Sequence, residues 1–203
     1  MRFAGSQSWQ ISWGNERAVD TALFLRDTLA LSVETDPDLP LLAPSVPVVV
    51  PPGVDRKAVA AEWPSWWADV LTFTTADHNG DPAQRFAALP IRPESAALTV
   101  RPAIRQAIVA LQAETARYFG DQSRANAGRP QWVNGPAPHE IVQDLELSLG
   151  RTARPFRLVV TEIPVAGAVW LRLADEHVLA STEFLKDHNR STPALRAVLA
   201  ELA

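Results

Sequence analysis

Residues 156–181 read Phe-Arg-Leu-Val-Val-Thr-Glu-Ile-Pro-Val-Ala-Gly-Ala-Val-Trp-Leu-Arg-Leu-Ala-Asp-Glu-His-Val-Leu-Ala-Ser, and this stretch decides the fold class. Phe156–Val165 and Ala168–Leu173 are rich in β-branched and aromatic residues and are parted by Ala166-Gly167. Ala174-Asp175-Glu176 then turns the chain into His177–Ala180. Three strand signals in succession predict an antiparallel meander over about residues 156–181. Consecutive strands, with helices grouped elsewhere, indicate an α+β protein rather than a doubly wound parallel sheet.

Outward from that stretch, the remaining signals are mostly helical. Trp9, Ile11 and Trp13 alternate with small or polar residues, the period of a half-buried strand. Helical spacing follows from Glu16 to about Leu31. A second helical stretch runs from the capping Asp55 towards Glu62, and a third from Pro64 to about Leu71. The clearest runs from Pro102 to a stop at Gly120, a short one spans His139–Leu149 before Gly150, and a last one covers Ala194–Leu202 behind Thr192-Pro193. Six prolines between residues 37 and 52 predict an extended surface segment, because proline cannot donate to a central ladder. Asn79-Gly80, between Leu71–Thr75 and Arg85–Leu89, predicts a loose hairpin. Together these give one α+β domain over residues 1–203, its meander packed against several amphipathic helices. Any subdivision is expected inside the polar, Gly/Pro/Asn-rich stretch 120–138.

Composition narrows the chemistry. The 203 residues contain no cysteine, which removes disulfides, thiolate catalysis, zinc–thiolate sites and iron–sulfur clusters. No apolar run reaches the length of a membrane span, and the first twenty residues lack the basic-then-apolar plan of a secretory signal, so a soluble, cytoplasmic protein is expected. Residues 101–172 carry nine basic and six acidic side chains, far from the footprint of a nucleic-acid domain, and Arg101, Arg105, Arg117, Arg124, Arg151, Arg154 and Arg157 are expected in salt bridges. His139-Glu140 opens like a zinc-protease motif, but Gln143 stands where the second histidine belongs. Asp77-His78-Asn79-Gly80-Asp81 lacks the later glutamate of a calcium loop. His188 beside Asp187 reads as a solvated corner. Neither a metal nor a cofactor is expected.

Seven tryptophans against one tyrosine is the oddest count. Trp63, Trp66 and Trp67 fall at i, i+3 and i+4, and two adjacent tryptophans cannot both face one interior, so at least one of Trp66 and Trp67 is expected at a rim. There it would serve as a stacking platform, with Trp132 of the long loop as a second wall and Arg129 supplying charge. The first expectation is therefore a non-enzymatic interaction or ligand-binding protein with a protein or small-molecule partner and an aromatic surface. The alternative is a cofactor-free hydrolase or isomerase in which His78 acts as base beside Asp77 or Asp81.

Overall fold

The computed structural model describes residues 2–4, 9–33, 38–76, 82–126 and 136–203. The chain forms two compact units: unit 1 comprises Met1–Asn15 and Pro130–Ala203, and unit 2 comprises Glu16–Arg129. One boundary falls within 120–138; the other follows the first long strand.

Unit 1 is α+β. Its strands are β1 (Arg2–Ala4), β2 (Trp9–Asn15), β3 (Phe156–Ile163), β4 (Trp170–Ala174) and β5 (His177–Ser181), and they form one sheet in the order β1-β2-β3-β5-β4. β2, β3 and β5 run parallel, while β1 and β4 flank them antiparallel. Helix α7 (Pro138–Leu149) ends at Gly150, whose φ of 65° is the left-handed C-cap conformation that glycine adopts without strain. Two further helices, α8 (Thr182–Lys186) and α9 (His188–Leu202), close the chain.

The expected meander is corrected to a different order. β4 and β5 do form an antiparallel hairpin, but β5 lies between β3 and β4 and pairs in parallel with β3. Burial accounts for the exchange. All five residues of β5 are buried, so it requires a neighbour on both sides, whereas β4 alternates, exposes Arg172 and suits an edge. Ser181 fixes the connection this order requires: its Oγ donates to the Gly167 carbonyl (2.7 Å) and accepts from Val169 N (2.9 Å) and Phe184 N (3.1 Å).

One face of the sheet carries Trp9 and Ile11 of β2, Phe156, Leu158 and Val160 of β3, and Val178 and Ala180 of β5. These form a single core with Ile141, Val142 and Leu145 of α7 and Leu195, Val198 and Leu199 of α9. Each fully buried aliphatic of this kind contributes about 1.5–3 kcal/mol. Trp13, Trp170, Leu185 and Leu202 pack on its margin.

Unit 2 is helical among the described residues: α1 (Arg17–Thr28), α2 (Arg56–Thr75), α3 (Pro82–Ala88), α4 (Ala96–Thr99), α5 (Pro102–Ala110) and α6 (Gln112–Asn126). The expected hairpin at residues 71–89 is not formed, since Leu71–Thr75 ends α2 and Arg85 belongs to α3. Nor does Pro64 divide α2, which runs unbroken through it from the Asp55 cap. The run expected from Pro102 to Gly120 is two helices separated at Leu111, and Gly120 lies inside the second. Glu62 receives the N–H groups of Ala103 and Ile104 (3.4 and 3.0 Å), placing a carboxylate at the start of α5. The extended segment after α1 is clipped back to it. Arg26 donates to the carbonyls of Leu39 (2.8 Å) and Pro40 (2.7 Å) and pairs with Asp27 (2.6 Å), which accepts from Leu42 N. Val49 N donates to Thr28 O (2.8 Å). No helix among the described residues is long and apolar enough to cross a membrane.

Candidate functional site

The three parallel strands end along the same edge of the unit 1 sheet, at Asn15, Ile163 and Ser181. Ladder register fixes what lies there on the helix-covered face. Trp13 is opposite Val160; Asn15 is opposite Glu162, which is opposite Ala180, which is opposite Trp170. Directly paired residues point to one side of a sheet, so Trp13, Glu162 and Trp170 share this face, with Glu162 between the two tryptophans. Trp13 lies two residues back from the row of Asn15, Glu162, Ala180 and Trp170, so at about 4.8 Å per strand and about 3.3 Å per residue the backbones of Trp13 and Trp170 stand about 16 Å apart.

Both indoles are half-buried. Trp170 leans on Phe184 of α8, centroids 5.3 Å apart. Glu162 is half-buried, and its Oε1 accepts a hydrogen bond from Thr182 Oγ1 at 2.7 Å. Among the described residues no lysine or arginine forms an ion pair with Glu162, although the more exposed carboxylates of Asp144 and Glu201 are paired with Arg196 and Arg172. The edge thus combines two flat apolar rings, a carboxylate and a hydroxyl, a set suited to binding.

The tryptophans expected at a rim are in the interior. Trp63 and Trp66 are 0% exposed and Trp67 is 3% exposed. The expectation assumed that α2 has a single inward face, but α2 packs against α1 on one side and against α4 and α5 on another. Trp63 and Trp67 stack at 5.3 Å, and Trp63 Nε1 donates to Ala22 O of α1 (3.2 Å). Trp66 turns the other way and donates to Pro90 O (2.8 Å). Trp67 Nε1 is buried with no acceptor among the described residues. These three side chains form no surface platform. Trp9 is also buried, stacked on Phe156 with centroids 6.0 Å apart. Trp132, Arg129, His78, Asp77 and Asp81 lie outside the described residues.

The other titratable candidates are dispersed. Glu140 accepts from Ala137 N (2.7 Å) at the start of α7, a helix-terminal role. Asp187 caps α9 and pairs with Arg190. His177 was not singled out from sequence. It lies at the opposite end of β5 and on the opposite sheet face from Glu162, 3% exposed, with Nε2 3.3 Å from Thr161 Oγ1. Burial pulls its pKa down to about 4, so the ring is neutral at physiological pH. In unit 2, burial and then the Asp20 and Asp27 carboxylates push the Tyr118 hydroxyl well above its ordinary range. Among the described residues no group of three or more His, Asp or Glu side chains could hold a metal. The signal for the carboxyl-edge site was the Trp9-Ile11-Trp13 alternation, but its partners Glu162 and Trp170 are set beside it only by the register. Compared with family models, curated proteins and solved structures, the chain matches none.

Proposed function

We propose that this chain is a non-enzymatic binding protein whose ligand is a small molecule received at the carboxyl edge of the unit 1 sheet. The observation that carries the reading is the placement of two half-buried indoles, Trp13 and Trp170, on the sheet face that also carries the Glu162 carboxylate. Carboxyl ends of parallel strands are a common location for ligand sites, because side chains from separate strands and the loops that follow them converge there. Indole offers broad apolar area with little rotamer entropy to lose on contact. The groups at this edge recognise and orient; the only described histidine in the sheet is on the other face.

The test is a thermal-shift and calorimetric screen of the intact protein with small aromatic and amine compounds, repeated on Trp13→Leu and Trp170→Leu. Loss of an aromatic contact of about 1–1.5 kcal/mol predicts roughly tenfold weaker binding of any hit in the Trp170 variant. Hits that bind both variants as tightly as the parent would place the ligand elsewhere and refute the reading.

A further inference from the structure

We infer that the ligand of this edge is a small organic cation, an alkyl or aryl amine or a quaternary ammonium group. The inference rests on reading the carboxyl edge as a binding site and adds the chemical class.

The argument starts from Glu162. A carboxylate withdrawn part-way from water loses solvation, which a protein ordinarily restores with a cation or several hydrogen bonds. Asp27 is met by Arg26 and Leu42 N, Glu16 by Arg85, and Glu62 by two backbone N–H groups, while Glu146, half-buried like Glu162, has one neutral donor among the described residues, Ala153 N. Glu162 is half-buried and has one neutral donor among the described residues, Thr182 Oγ1. The electrostatic complement it lacks among the described residues is a positive charge, and an anionic ligand would meet repulsion from the carboxylate.

The second observation is independent of charge. Indole is the best aromatic partner for a cation because its face is negative, and two half-buried indoles share the sheet face of Glu162, Trp13 diagonally across on β2 and Trp170 two strands away on β4. A bare metal ion would be poorly served by a single carboxylate among apolar rings. A neutral flat ring would use the indoles but not the carboxylate. An ammonium carried on an apolar body uses the carboxylate together with an indole.

The test compares cations with their uncharged isosteres on the intact protein by calorimetry: choline against dimethylbutanol, and phenethylamine against phenylethanol. The expected result is at least tenfold tighter binding of a cation than of its isostere. Glu162→Gln should abolish that gap, and Trp170→Leu should weaken the cation several-fold. Should the Gln variant fail to fold, rising sodium chloride on the unaltered protein provides a second readout, narrowing the gap while leaving the neutral isostere unchanged. Isosteres that bind as tightly as the cations, with Trp170→Leu still weakening both, would overturn the cation class and leave the site standing. No binding of either cation at millimolar concentration would also overturn it. Failure of the site itself is the separate result described above, in which the tryptophan variants bind every hit as the parent does.

Discussion

Replacing Trp66 by phenylalanine is expected to destabilise the protein by about 2–4 kcal/mol, while the same replacement at the next residue, Trp67, is expected to be close to neutral. Both side chains are buried, at 0% and 3% exposure, and both lie on the same helix. Either change removes one wall of the indole and leaves roughly 40 Å³, costing about 1 kcal/mol at about 24 cal/mol per Å³. A phenyl ring at position 67 keeps a partner for Trp63. The two sites differ at the ring nitrogen. Trp66 Nε1 bonds the buried Pro90 carbonyl at 2.8 Å, so its loss strands an acceptor and adds about 1–3 kcal/mol. Trp67 Nε1 is already buried with no acceptor among the described residues, and its removal relieves a desolvated donor by a similar amount, offsetting the cavity. The assay is urea denaturation followed by far-UV circular dichroism, comparing midpoints at constant slope. Equal losses at the two positions would refute the assignment of opposite hydrogen-bonding states to adjacent tryptophans.

Two other perturbations follow from buried charge and protonation. His177 is neutral in the fold with a pKa of about 4, against about 6.5 in the unfolded chain. The unfolded state therefore binds more protons between these values: the contribution is fully present above pH 6.5 and is lost as pH falls towards 4. On the order of 3 kcal/mol is at stake, and the urea midpoint measured across this window should fall more steeply in the parent than in His177→Gln. Asp27→Ala, which leaves the buried Arg26 guanidinium without its carboxylate and Leu42 N without its acceptor, should cost about 3–5 kcal/mol by denaturation, whereas Asp144→Ala, from an exposed pair with Arg196, should change stability by less than about 1 kcal/mol.

What the sequence reveals follows from how local each cause is. The strict alternation of Trp9, Ile11 and Trp13 predicts β2, the apolar run of Phe156–Ile163 predicts β3, and the glycine after Leu149 predicts the end of α7; each depends on neighbours a few residues away. The hairpin expected around Asn79-Gly80 fails because the β-branched Thr72, Thr74 and Thr75 favour strands only weakly, and helix α2 carries them along. Trp66 and Trp67 were expected to compete for one interior because periodicity reports directions around a helix, not how many of those directions are covered. The position of β5 between β3 and β4 is foreshadowed by the uninterrupted His-Val-Leu-Ala-Ser, but the parallel register that seats Glu162 beside Asn15 joins residues far apart in the chain. Trp170 and Glu162 carry no signal of their own in sequence. They become a site only through that register.

The division of unit 1 has a consequence for how the protein is made. Its parallel neighbours β2 and β3 are separated by residues 16–155, so β2 emerges from the ribosome long before the strand it pairs with. At about 5–20 residues per second, the delay is roughly 7–30 s. Over that interval Trp9, Ile11 and Trp13 sit on a nascent strand with no partner on the β3 side, while unit 2, contiguous in sequence, is translated behind them. The aromatic strand β2 therefore waits unpaired on that side during synthesis, and a pause in translation within residues 16–155 would lengthen its exposure.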